Sequence, residues 1–123
     1  MSLGRQSASY YAIRMAEAVT DATFDAEVLA SERPVIVKFT APWCRPCRHI
    51  NPTLEAIALE QGDAIRVVEI DIDDNLGVPS RYSVLSIPTV ILFAGGEARA
   101  TVVGAAPRRR FDEAFAPHLG LAG

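Results

Sequence analysis

The sequence predicts an α/β fold: one domain in which two parallel strands flank a crossover helix, followed by an antiparallel hairpin and a closing helix. Two β-branched runs predict the parallel part. "PVIVKF" at 34–39 and "AIRVVEIDI" at 64–72 are separated by a stretch whose apolar residues recur at helical spacing. "TVILFAGGEARATVVG" at 89–104, two strand-like runs around Gly95-Gly96, predicts the hairpin. A length of 123 residues suits one domain and is too short to expect two. Half of the residues are hydrophobic and 22% are charged, which supplies a core and argues against disorder.

Taken in order, residues 1–16 are Ser-, Ala- and Tyr-rich without a strong period. They are expected to be a mobile leader or a remnant of cloning, with Met15 a candidate start and 17–123 the folded domain. The leader lacks the apolar run of roughly 7–15 residues that a secretory signal needs, and no stretch approaches the ~18–20 apolar residues of a membrane span. A soluble, cytoplasmic protein with no membrane partner is therefore expected. A net charge of −3 and a pI near 5.3 argue against nucleic acid as a partner, since phosphate binding calls for a basic domain or stripe.

"TDATFDAEVLAS" offers Thr20 or Asp21 as a helix cap, with Phe24, Val28 and Leu29 at helical spacing, and predicts a helix over roughly 22–31. "PVIVKF" is apolar except for Lys38, which suits a central strand covered on both faces. Cys47, Ile50, Leu54, Ile57 and Ala58 then form one stripe of a helix running to about Gln61, with Gly62 beyond its end and a kink predicted at Pro52. Cys44 falls at the N-terminus of this helix and Cys47 one turn in, on the apolar stripe. In the next strand Val68, Ile70 and Ile72 share one face and Glu69 and Asp71 the other. Residues 75–83 suit a short helix. Pro107 opens a last one, with Phe111, Phe115 and His118 or Leu119 facing inward.

Both cysteines lie in "FTAPWCRPCR", beside the chain's one tryptophan. A bare C-x-x-C fits a structural staple, half of a metal site, or a redox pair. Wider context favours the third. "VTDATFDAEVL", "PVIVKFTAPWCRPC", Pro52 in the following helix, "VVEIDIDDN", "YSVLSIPTVILFAGGE" and "VVGA" resemble successive segments of the thioredoxin family, in order, over about residues 19–119. The resemblance implies a thioredoxin fold, with a central mixed five-stranded sheet flanked by four helices. It also implies a general reductant of protein disulfides, acting as a monomer on disulfide-containing target proteins and recharged by thioredoxin reductase. No bound cofactor is expected beyond a redox-active Cys44–Cys47 disulfide, and no metal.

Thiol–disulfide exchange needs one thiolate to attack and a second thiol to resolve the mixed disulfide. Cys44, at an exposed helix N-terminus, is the expected nucleophile, and Cys47, shielded, the resolving thiol. Pro46 fits the first turn, where no N–H is required. A staple closing so small a loop would remove little unfolded-state entropy. A zinc site needs more ligands, and His49, two residues past Cys47, points elsewhere on the helix. By resemblance, the target docks on Trp43, Arg45, Pro46, Ile87, Pro88, Gly104 and Ala105, with Ile87–Pro88 cis and the Ile87 backbone pairing with an extended segment. Competing readings are an interaction module or holdase without turnover, for which intact cysteines are superfluous, and an oxidase or isomerase of the same fold.

Three departures from the family pattern concern charge. Arg45 stands where glycine is usual, placing a cation beside Cys44 that favours its thiolate. Arg48 and the run Arg108-Arg109-Arg110 are expected to extend a basic rim, unless they form an ordinary solvated face. Lys38, the one lysine among 12 basic residues, occupies the position of the family's buried aspartate, and Glu69 that of the lysine opposite it. A buried ammonium needs a partner, so a reversed Lys38–Glu69 pair is expected behind Cys47, with the carboxylate able to accept the Cys47 proton.

Overall fold

In the computed structural model, residues 17–119 are described; the leader expected at 1–16 lies outside them. Four strands form one sheet: β1 Val35–Thr40, β2 Arg66–Asp71, β3 Thr89–Ala94 and β4 Glu97–Val103. Their order is β2-β1-β3-β4, with β1 parallel to β2 and antiparallel to β3, and β3 antiparallel to β4. The expected fifth strand is reduced, among the described residues, to a single parallel bridge between Ala18 and Glu69 at the β2 edge. Two hydrogen bonds make it: Val19 donates to the Glu69 carbonyl at 2.9 Å, and Glu69 donates to Glu17 at 3.0 Å. After Val19 the chain leaves the sheet edge by turning at Thr20, whose hydroxyl accepts the Thr23 N–H at 3.2 Å.

The helix expected over 22–31 contracts to one π-helical turn, Asp25–Leu29, in which Ala30 donates to the Asp25 carbonyl five residues back. Thr20 is the cap. Asp21 instead reaches across the fold to accept the N–H groups of Gly77 (2.9 Å) and Val78 (2.8 Å), which open the short helix Gly77–Arg81. Those two donors hold its carboxyl below the ordinary carboxylate range.

At Pro52 the expected kink becomes a break. Helix α1 spans Arg45–His49 and α2 spans Asn51–Gln61, with Ile50 between them. Proline has no N–H for the carbonyl four residues back, and its ring crowds that carbonyl. The stripe survives nonetheless: Cys47, Ile50, Leu54, Ile57 and Ala58 are all buried. Helix α3 is Gly77–Arg81 and α4 is Arg108–Phe115, extended by a 3₁₀ turn to His118. Of the last two candidate inward residues, Leu119 packs on the core and His118 is exposed. No helix among the described residues is long and apolar enough to cross a membrane.

The strand alternation divides the core between the two faces of the sheet. One face carries Val35, Val37, Phe39, Val68, Ile70, Ile91 and Phe93, covered by Phe24, Val28 and Val78. Here Phe24, Tyr82 and Phe93 stack with centroids 5.0 to 5.7 Å apart. The other face carries Ile36, Val67, Val90, Leu92 and Val102 beneath Ile50, Leu54 and Ile57 and the α4 residues Phe111 and Phe115. The hairpin turns where expected, with Gly95 and Gly96 at φ of +63° and +81°, a region open to glycine.

Candidate active site around Cys44 and Cys47

β1 ends at Thr40, and the next residues carry the chain from the sheet into α1. Cys44 is the N-cap, extended at φ −87° and ψ 101°, and its Sγ accepts the Cys47 N–H at 3.2 Å. Pro46 sits in the first turn, where its missing donor costs nothing. The two cysteines form a disulfide, with Cα atoms 5.3 Å apart. Cys44 departs from the exposure expected of it: it is 3% exposed, against 0% for Cys47. Ala41, Ile72 and Ile87 pack around the pair.

The surroundings of the disulfide are open. Trp43 is 66% exposed, with its indole N–H donated to Asp73 Oδ2 at 2.9 Å, so a large apolar plane is pinned in solvent. Arg45 is exposed beside it. Across the pair, the Ile87–Pro88 bond is cis. Among the described residues the Ile87 backbone makes no hydrogen bond, which leaves a donor and an acceptor for an incoming extended chain. The Pro88 carbonyl accepts from Gly104 at 2.8 Å, so the β4 end is drawn to the same loop. Gly104 has φ +90°, and a Cβ there would meet nothing within 4 Å. Backbone conformation, not crowding within the chain, thus calls for glycine, and the space above it is free. Ala105 is exposed next to it.

Lys38 is 4% exposed and pairs in register with Glu69 across β1 and β2. Its Nζ lies 3.2 Å from Glu69 Oε1, so the reversed pair forms. A partner the sequence reading missed completes it: Nζ donates to Asn51 Oδ1 at 2.5 Å. An ammonium has three donors, and one carboxylate seldom occupies them all. That shortage was the available clue to a second acceptor. Lys38, Asn51 and Glu69, with Thr40, Ala41, Pro42, Arg48 and Asp71, line a cleft of about 330 Å³.

The expected basic rim loses its distant half. Arg108 is bound by Glu60 at 2.6 Å and Asp112 at 2.8 Å, which raise its pKa and place it at the opposite end of α2 from the cysteines. Arg45 and Arg48 remain near the pair. His49, expected to be a plain helical surface residue, lines a shallow depression with them.

A disulfide that closes one helical turn, with its first sulfur at the N-cap and a cis-proline loop alongside, defines a thiol–disulfide oxidoreductase. A model of the thioredoxin family matches residues 15–116. The chain belongs to that family, and it is a protein disulfide reductase. It is 46% identical over 105 residues to thioredoxin 1 of Synechococcus elongatus, covering 85% of this chain and 98% of the relative. It is 52% identical over 90 residues to a thioredoxin of Streptomyces clavuligerus, covering 73% of this chain and 83% of the relative. A bifunctional thioredoxin reductase/thioredoxin of Mycobacterium leprae is 48% identical over 87 residues, which are 71% of this chain and 19% of that protein.

Proposed function

We propose that the chain reduces target disulfides in two exchanges, with Cys44 attacking and Cys47 resolving. The observation that carries this assignment is the Cys47 N–H directed at Cys44 Sγ, a donor that favours a thiolate on Cys44. The Cys44 thiolate attacks one target sulfur, the target S–S bond breaks, and the second target sulfur leaves as a thiolate. Cys47, deprotonated in turn, attacks Cys44 Sγ, closes the Cys44–Cys47 disulfide and releases the first target sulfur. Two electrons and two protons pass to the target, and no bound cofactor takes part.

Trp43, Arg45, Pro46, Ile87, Pro88, Gly104 and Ala105 hold the target. Its extended backbone pairs with the free groups of Ile87, and the open space over Gly104 and Ala105 admits it. Glu69 takes the Cys47 proton through water in the cleft, and Lys38 holds that carboxylate in place. Thioredoxin reductase returns the electrons; the joining of both names in the Mycobacterium leprae relative supports that partner. The protein works as a monomer in the cytoplasm, where thiol pools keep such pairs reduced.

Reduction of insulin disulfides by the wild type and by Cys44→Ser tests the assignment. The wild type is expected to turn over and Cys44→Ser to be inert. Equal activity in the two would overturn it.

A further inference from the structure

We propose that α1 is a cationic docking platform that selects target segments carrying Asp or Glu beside the disulfide to be reduced. The proposal rests on the reductase reading and names its substrate class. Arg45, Arg48 and His49 stand at i, i+3 and i+4, so they share one side of the helix that Cys44 caps. All three are exposed and together line a depression of about 170 Å³.

The two guanidinium charges are unspent within the fold. Five other arginines, Arg66, Arg81, Arg99, Arg108 and Arg109, each lie within 4 Å of a carboxylate. Neither Arg45, Arg48 nor His49 forms an ion pair among the described residues, and the first turn of α1 has no acidic residue. Arg48 donates once, from Nη1 to the Pro42 carbonyl at 3.1 Å. That bond ties the guanidinium to the segment leading into Cys44 and leaves its other N–H groups for a ligand. Arg48 also lines the cleft that holds Glu69 and Asp71, yet it forms no ion pair with either.

On a molecule of net charge −3, Arg33 and Arg110 also form no ion pair among the described residues, but Arg33 precedes β1 and Arg110 lies on α4, whereas Arg45 adjoins Cys44. Such an arrangement orients encounters with acidic partners and slows those with basic ones. Beside the disulfide on the chain stands an exposed apolar plane, Trp43, at 66%. A matching target therefore presents a hydrophobic residue on one side of its cysteine and a carboxylate on the other. Arginine is suited to that carboxylate, because its planar fork binds one through two hydrogen bonds.

Three disulfide peptides that differ in their flanking residues, acidic, neutral or basic, provide the test. Second-order reduction rates are measured by stopped flow at low and high salt for the wild type and for Arg45→Glu combined with Arg48→Glu. The wild type is expected to reduce the acidic peptide roughly tenfold faster than the basic one at low salt, with the ratio shrinking toward one as salt screens the patch. The double variant should invert that ratio. A ratio between peptides cancels any change in the intrinsic reactivity of Cys44. Turnover of the neutral peptide with equal rates for the other two would overturn the platform and leave the reductase standing. An unchanged ratio in the double variant would also overturn it. Loss of turnover with all three peptides would overturn the reductase reading and the platform with it.

Discussion

Val35, Val37 and Phe39 of β1 point into an all-apolar cluster, whereas on the opposite face Ile36 is followed by Lys38, equally buried and charged. The first face stabilises the fold by area alone, at about 1.5–3 kcal/mol for each large side chain withdrawn from water. On the second face the apolar cluster gives way, toward the cysteines, to an ammonium held by Glu69 and Asn51. A buried ion pair seldom adds net stability over an apolar pair of the same shape. The difference teaches that along this strand a charged side chain is buried where a carboxylate and an amide oxygen receive it, at the place where the proposed proton transfer falls.

The sharpest way to break the apolar side is Phe39→Ala. It should cost about 3–5 kcal/mol in urea unfolding, because it removes a ring that is 0% exposed and leaves a cavity. On the polar side, Glu69→Ala should cost less, about 1–3 kcal/mol, since the Glu69 side chain is 32% exposed and Asn51 still accepts from Lys38. It should also slow release of the mixed disulfide, followed by rapid quench. Lys38→Met, which removes the charge itself, should lie within about 1 kcal/mol of the wild type or be more stable. A large loss of stability there would show that the ammonium is a structural necessity.

Outside the fold, the same kind of charge should count for little. Arg45→Gly is expected to make the reduction potential more negative by about 5–20 mV, since an exposed cation favours the Cys44 thiolate by only a few tenths of a kcal/mol to about 1 kcal/mol. Equilibration with a glutathione couple reads that shift. An unchanged or less negative potential would remove Arg45 from the electrostatics of the pair.

The smallest effect concerns the rim of the apolar face, where Asp21 accepts from Gly77 and Val78. Its pKa is lowered in the folded chain, so its contribution is complete above the unfolded carboxylate range and is lost as pH falls through the folded value. Asp21→Asn keeps an acceptor without the titration. Its stability should therefore decline less than that of the wild type between about pH 6 and about pH 3 in parallel urea titrations.

Local chemistry made most of the molecule legible. β-Branched runs marked all four strands, Gly95-Gly96 the hairpin, and a five-residue apolar stripe the helix behind the cysteines. What escaped was set by contacts between distant residues. Asp21 reads as a local cap but serves a helix 56 residues away. Arg108 reads as one of three clustered cations but is matched by Glu60 on another element. Asn51 falls inside the expected helix with nothing local to single it out, and only the fold brings Lys38 to it. The π-helical turn was hidden because Phe24, Val28 and Leu29 fit an ordinary helix equally well. At the site, the residue types were readable and the reversed pair followed from them, while the covering of Cys44 depended on Ala41, Ile72 and Ile87 meeting over it.

The lone bridge at Ala18 has a consequence for handling the protein. Glu69 uses both of its outward backbone groups on Glu17 and Val19, while its side chain reaches Lys38, so among the described residues one residue both pairs the edge of the sheet and holds the buried ammonium. An open edge of a sheet is a template on which another chain can add. Chains trimmed past Val19 would bare that edge at the residue that steadies Lys38. Self-association at high concentration and weakened resolution of the mixed disulfide should then appear together, so the shortest workable version of this protein begins no later than Glu17.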